Sequence, residues 1–103
     1  MRILKYELRI TDQQKIHTDY FHIQPLSVAE QNGKLMLWAK VYEDSPPEYQ
    51  ADSLTVNIVG TGQDSRDFDC DDFLGTVVMS NGFVWHVFAR RVATKHTSNP
   101  RME

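Results

Sequence analysis

Two Asn-Gly pairs, Asn32-Gly33 and Asn81-Gly82, each run straight into an apolar segment that carries a tryptophan. The first segment is Lys34-Leu35-Met36-Leu37-Trp38-Ala39-Lys40-Val41-Tyr42, and the second is Phe83-Val84-Trp85-His86-Val87-Phe88. A type I′ turn needs positive φ at both central residues, and Asn followed by Gly meets that need at the lowest steric cost. The pairs therefore predict two β-hairpins.

Period-two alternation extends the β reading. Residues 3–10 set Leu4, Tyr6, Leu8 and Ile10 against Lys5, Glu7 and Arg9, the pattern of a strand with one wet face. Residues 11–14 read as a turn and 15–17 as a short strand. Residues 21–28 are apolar but contain Pro25, which belongs on an edge or at a bend. Ser27 and Glu30 have capping-box spacing, yet a helix there would meet Asn32-Gly33 within a turn, so a strand end is expected. Residues 34–42 are apolar on both faces, which predicts a central or doubly covered strand. Pro46-Pro47 ends that ladder, 54–59 forms the next strand, and 73–79 and 83–90 close the sheet. The expected fold is all-β: six or seven strands in one antiparallel meander, small barrel or two-layer sandwich. A single domain would span 1–91, followed by a basic, disordered tail over 92–103.

Charge is unevenly spread. Residues 1–42 carry six Lys/Arg and four Asp/Glu, residues 43–72 nine acids against Arg66, and residues 73–103 four bases against Glu103. The acidic middle argues against direct nucleic-acid binding, where neutralising phosphates supplies most of the affinity. It suits a basic protein partner. The single Cys70 excludes an internal disulfide, and no signal-like or membrane-spanning apolar run is visible. A cytoplasmic setting away from membranes is therefore expected.

Candidate chemistry is sparse. Asp64, Asp67, Asp69, Asp71 and Asp72 could offer oxygen ligands to a hard cation, but their spacing does not fit an EF-hand and Arg66 sits among them. His17, Asp19 and His22 lack the turn that would converge them on a transition metal. Neither a metal nor a cofactor is expected. Cys70 lies between Asp69 and Asp71, which disfavours its thiolate. His86 fits a hydrogen-bonded, half-buried residue rather than a general base. Gly60-Thr61-Gly62 follows a strand as a phosphate turn would, without the third glycine or the helix that such a motif needs. A plain turn explains it. Trp38, Tyr42 and Tyr49 are the aromatics expected to reach the surface, and Lys40 shares the strand face of the first two. Together with the five aspartates they form the expected partner surface.

Several segments together carry a resemblance: Lys5-Tyr6-Glu7-Leu8 with Ile10-Thr11-Asp12, Leu26-Ser27-Val28, Gln31-Asn32-Gly33 and Leu37-Trp38-Ala39. The second half adds Ile58-Val59-Gly60-Thr61-Gly62, Phe73-Leu74-Gly75-Thr76-Val77 and Phe83-Val84-Trp85-His86-Val87-Phe88. The chain resembles a family of small proteins, a domain of unknown function, found in bacteriophages and prophages. The stretch after Phe88 departs from that pattern. The resemblance brings no catalytic residue, and it implies phage origin and a host-cell setting, where short accessory proteins bind and block. The function expected is thus non-enzymatic: contact with, and inhibition of, a host or defence protein. The alternative is an oligomeric binder that sequesters a nucleotide signal at Gly60, Thr61 and Gly62. The two-sided apolar strands also admit a homo-oligomer.

Overall fold

The computed structural model describes residues 1–18, 22–42, 53–63 and 71–92. Their alternating segments form seven strands: β1 (Arg2–Leu8), β2 (Gln13–His17), β3 (His22–Gln31), β4 (Lys34–Tyr42), β5 (Ser53–Gly60), β6 (Asp72–Val78) and β7 (Val84–Val92). All pairings are antiparallel, and no helix occurs among the described residues. One sheet has the order β1-β4-β3 and the other β2-β5-β7-β6.

Of the three architectures admitted by the strand count, the molecule is the two-layer sandwich; it is neither a barrel nor a simple meander. Consecutive strands pair only at β3–β4 and β6–β7, the two Asn-Gly hairpins. The chain leaves the first sheet after β1 because the Gln14 side chain imitates a backbone partner. Its Oε1 accepts from Arg9 N at 3.1 Å and its Nε2 donates to Arg9 O at 2.7 Å. Strand β1 consequently stops at Leu8, and Ile10, expected on the core side of a longer strand, is 50% exposed.

The first hairpin has the turn its sequence demands, with Asn32 at φ 55° and Gly33 at φ 79°. The second differs. Only Gly82 has positive φ there, at 94°. Met79 O accepts from Gly82 N at 2.9 Å, while Met79 N donates to Phe83 O at 2.8 Å. This is a three-residue loop closed by a glycine bulge, stabilised by Phe83 N donating to Asn81 Oδ1 at 3.0 Å. The residue before Asn81 belongs to the loop here, which relieves Asn81 of the left-handed conformation.

Pro25 lies on the edge strand β3, as its missing N–H requires, and the register slips between Pro25 and Ser27. The strand nevertheless runs on to Gln31, so the capping-box spacing at Ser27 marks no helix. Strand β7 continues to Val92; the tail expected from there on otherwise lies outside the described residues.

The core is the meeting of two inner faces. Leu35, Leu37, Ala39 and Val41 of β4 pack with Leu8 and Ile23 against Leu54, Val56 and Ile58 of β5, Val77 of β6, and Val87 and Ala89 of β7. Strand β5 is buried on its outward side too, where Ser53, Thr55, Asn57 and Val59 are shielded from solvent. Asn57 is satisfied there: Gln13 Nε2 donates to its Oδ1 at 2.9 Å, and its Nδ2 donates to Asp71 Oδ2 at 2.6 Å. The Thr55 hydroxyl, in a residue 1% exposed, has no partner among the described residues.

A buried hydroxyl without a bond keeps its desolvation cost and gains nothing in return. Thr55→Val should therefore stabilise the fold by about 1 kcal/mol, seen as a higher urea midpoint at unchanged slope. Leu37→Ala, at a position with no exposure, should cost roughly 2–5 kcal/mol in the same titration.

Candidate functional site

Strand alternation places Lys34, Met36, Trp38, Lys40 and Tyr42 on the side of β4 that faces away from the core. Register then decides their neighbours: Trp38 lies between Lys5 of β1 and Ser27 of β3, and Tyr42 lies opposite His22. Trp38 is half-buried and Tyr42 is 37% exposed. The His22 and Tyr42 rings meet edge to face, with centroids 5.3 Å apart and planes at 61°. Lys40 Nζ stands 5.9 Å from the Tyr42 centroid, within cation–π range.

Lys5 Nζ donates to Gln31 Oε1 at 2.7 Å, a bond that spans the middle strand from β1 to β3. Its aliphatic stem therefore crosses above Met36, which is only 9% exposed although it points outward. Lys34 pairs with Glu7 at 3.5 Å between two exposed side chains. The outward face thus carries an aromatic and thioether strip edged by Lys5, Lys34 and Lys40, with Glu7 as the single acid on its β1 and β4 rows. It can dock an apolar anchor and favour negative charge around it.

A second cluster gathers at the end of β5. The 60–63 turn closes by Gln63 N donating to Gly60 O at 3.0 Å, while Gly60 N donates to the Gln63 side-chain Oε1 at 2.5 Å. Gly62 holds φ 91°, so the glycine serves a plain turn. His86 of β7 bridges two hydroxyls: Nε2 lies 2.9 Å from Thr61 Oγ1 and Nδ1 lies 2.9 Å from Thr76 Oγ1. Both ring nitrogens are engaged, so the imidazole acts as a strut joining the turn to β6. Between this turn and the 82–85 segment lies an open cleft of about 510 Å³. Phe83 and Trp85 stack beside it, centroids 5.7 Å apart and planes at 25°. Gly60 and Thr61 line that cleft, and Gly62 joins them in an adjoining hollow near His86 and Phe88.

The acidic residues divide. Asp71 is drawn inward, its side chain 2% exposed, bonded to Asn57 and 3.9 Å from Arg90 Nε. Its charge is spent on holding the start of β6 to β5 and β7. Asp72, one residue on, is exposed at the head of β6. Asp64, Asp67, Asp69 and Tyr49 lie outside the described residues, as do Asp19 and Cys70. Among the described residues, no group of three or more His, Cys, Asp or Glu is placed to hold a metal.

The structure thus keeps Trp38 and Tyr42 together and separates them from Gly60, Thr61 and Gly62. Sequence reasoning missed Lys5, Gln31 and His22 along the outward row of β4, because they arrive through strand pairing. It also missed the Phe83–Trp85 stack beside the 60–63 turn; the Asn-Gly loop one step before Phe83 was the available signal.

These features define a β-sandwich with one aromatic, cation-edged sheet face and one aromatic turn cleft. The chain belongs to the family described as a domain of unknown function (DUF7352), whose model matches residues 1–98. No curated protein and no solved structure matches it.

Replacing His86 by Leu should free the 60–63 turn from β6. The expected cost is about 1–3 kcal/mol, together with faster amide exchange in residues 61–63 and unchanged exchange in β4.

Proposed function

We propose that the protein is a non-enzymatic binding module, a phage or prophage accessory protein that binds and inhibits a host or defence protein in the host cytoplasm. The observation that carries this reading is the outward face of β4. A half-buried Trp38 and a partly exposed Tyr42 stand on a rigid, fully registered strand, with cations at the rim. Trp and Tyr anchors in a preorganised setting are what binding hot spots consist of. The engagement of His86 by two threonines and of Asp71 by Asn57 supports a binding role over acid–base chemistry. Phage origin rests on the resemblance of the sequence segments and extends the family assignment.

The geometry moves the electrostatic part of the reading. With Asp71 turned inward, Asp72 is the one of the two described loop aspartates available to a basic partner, while Lys5, Lys34 and Lys40 offer the opposite charge around the aromatic strip. Affinity capture from host lysate tests the reading with three variants. Trp38→Ala should abolish recovery of a specific host protein while leaving the fold intact by circular dichroism. Lys40→Glu should weaken it, and His17→Ala, remote on β2, should not. Equal recovery by Trp38→Ala and wild type would sink the idea.

A second reading is favoured by the cleft beside the 60–63 turn, where the Phe83–Trp85 stack offers a platform to the planar base of a nucleotide signal. A ligand there at a hundred times its dissociation constant should stabilise the fold by about 2.7 kcal/mol. Thermal shift against a nucleotide panel, with Trp85→Leu as control, measures this.

A further inference from the structure

Each sheet of an open sandwich ends in two edge strands, and an unguarded edge is a template for another chain. Among the described residues, three of the four edges are guarded. Strand β3 carries Pro25 and an irregular register, and β6 has an irregularity between Phe73 and Gly75. These two edges also lean together, for Glu30 of β3 accepts from Ser80 N at 2.9 Å and from Ser80 Oγ at 2.7 Å, just beyond β6. Strand β2 is only five residues long and offers a short template. Strand β1 is different. Its seven residues keep unbroken register with β4, contain neither Pro nor Gly, and leave Ile3 57% exposed.

The two charges on the outward side of β1 are Lys5 and Glu7, of opposite sign and two residues apart. That spacing is self-complementary. In an antiparallel pair of β1 strands whose outward faces stay on one side, a two-fold axis at Lys5 would oppose two lysines, and one at Glu7 would oppose two glutamates. An axis at Tyr6 places Lys5 opposite Glu7 of the partner subunit and, by symmetry, Glu7 opposite Lys5 of the partner subunit. It also sets Leu4 against Leu8 of the partner subunit on the core side, where Leu4 and Tyr6 are half-buried. Within the sheet Lys5 gives one bond to Gln31 and Glu7 receives Lys34 on one oxygen. The ammonium has further donors and the carboxylate a second oxygen for the new pairs.

We propose that β1 is the seam of a homodimer: two copies of this chain join edge to edge, antiparallel about Tyr6, into a continuous six-stranded sheet. Cross-strand ion pairs and main-chain hydrogen bonds hold an isologous interface of this kind. Its consequence reaches beyond the binding reading above. The dimer sets two Trp38 side chains on one face, roughly 16 Å apart, three strand spacings across and two residues along the strands, so the protein presents a doubled anchor to a repeating or two-fold partner.

Sedimentation velocity over a concentration series tests the seam. Wild type should dimerise; Lys5→Glu and Glu7→Lys should each weaken the dimer about tenfold or more; the double variant should recover it. A wild-type monomer at every concentration, a dimer indifferent to the single reversals, or no recovery in the double variant would each overturn the proposal. Amide exchange on the unmodified chain gives a readout free of folding defects. Protection in residues 2–8 should rise with concentration while that in β2 stays constant, and a flat β1 profile would also overturn it.

Discussion

Everything in this molecule depends on the inner row of β4. Leu35, Leu37, Ala39 and Val41 are sealed from water, and their alternation leaves the strand only one way to face. A slip of one residue would bring Met36, Trp38 and Lys40 into the core and expose four aliphatic side chains. With β4 fixed, β1 and β3 acquire register on either side of it, and the inner face of β5 and β7 finds a complementary surface. The site is a by-product of the same constraint: burying one row of a strand presents the other row to solvent in fixed geometry. Trp38 and Tyr42 share a face because Leu37 and Val41 share the opposite one.

What could be read from the chain follows the range of the forces involved. Strand β4 was legible to the residue, since alternation and turn chemistry are local. The first hairpin was equally legible, because Asn32 and Gly33 both need positive φ. The second was legible as a hairpin and not as a turn type; whether Asn81 or only Gly82 enters the left-handed region depends on how β6 and β7 are aligned, and that is set by packing. The pairing of β1 with β4 and of β2 with β5 was not legible. These are long-range partners, and at the crossing between them the Gln14 amide replaces a strand partner for Arg9 through a contact that no periodicity reveals. The buried outward side of β5 was hidden for a similar reason: Ser53, Thr55 and Asn57 look like a wet face until Gln13 and Asp71 arrive from elsewhere.

The same division applies to the site. Trp38 and Tyr42 were identifiable because Lys40 between them marks the outward row. Their surroundings were not, since Lys5, Gln31 and His22 come from two other strands. Likewise the 60–63 turn was visible as a glycine turn, whereas its bonds through His86 to Thr76 exist only once β5, β7 and β6 are neighbours. The family model matches residues 1–98, a span that takes in all seven strands.

The four-residue crossing between β1 and β2 has a kinetic consequence. Both hairpins close over two or three residues and can form locally, whereas β1 must find β4, and β2 must find β5, across long stretches of chain. Gln14 ties β2 to the end of β1, so one short N-terminal segment supplies a long-range pairing to each of the two sheets, and the slow, non-local part of the topology is concentrated there.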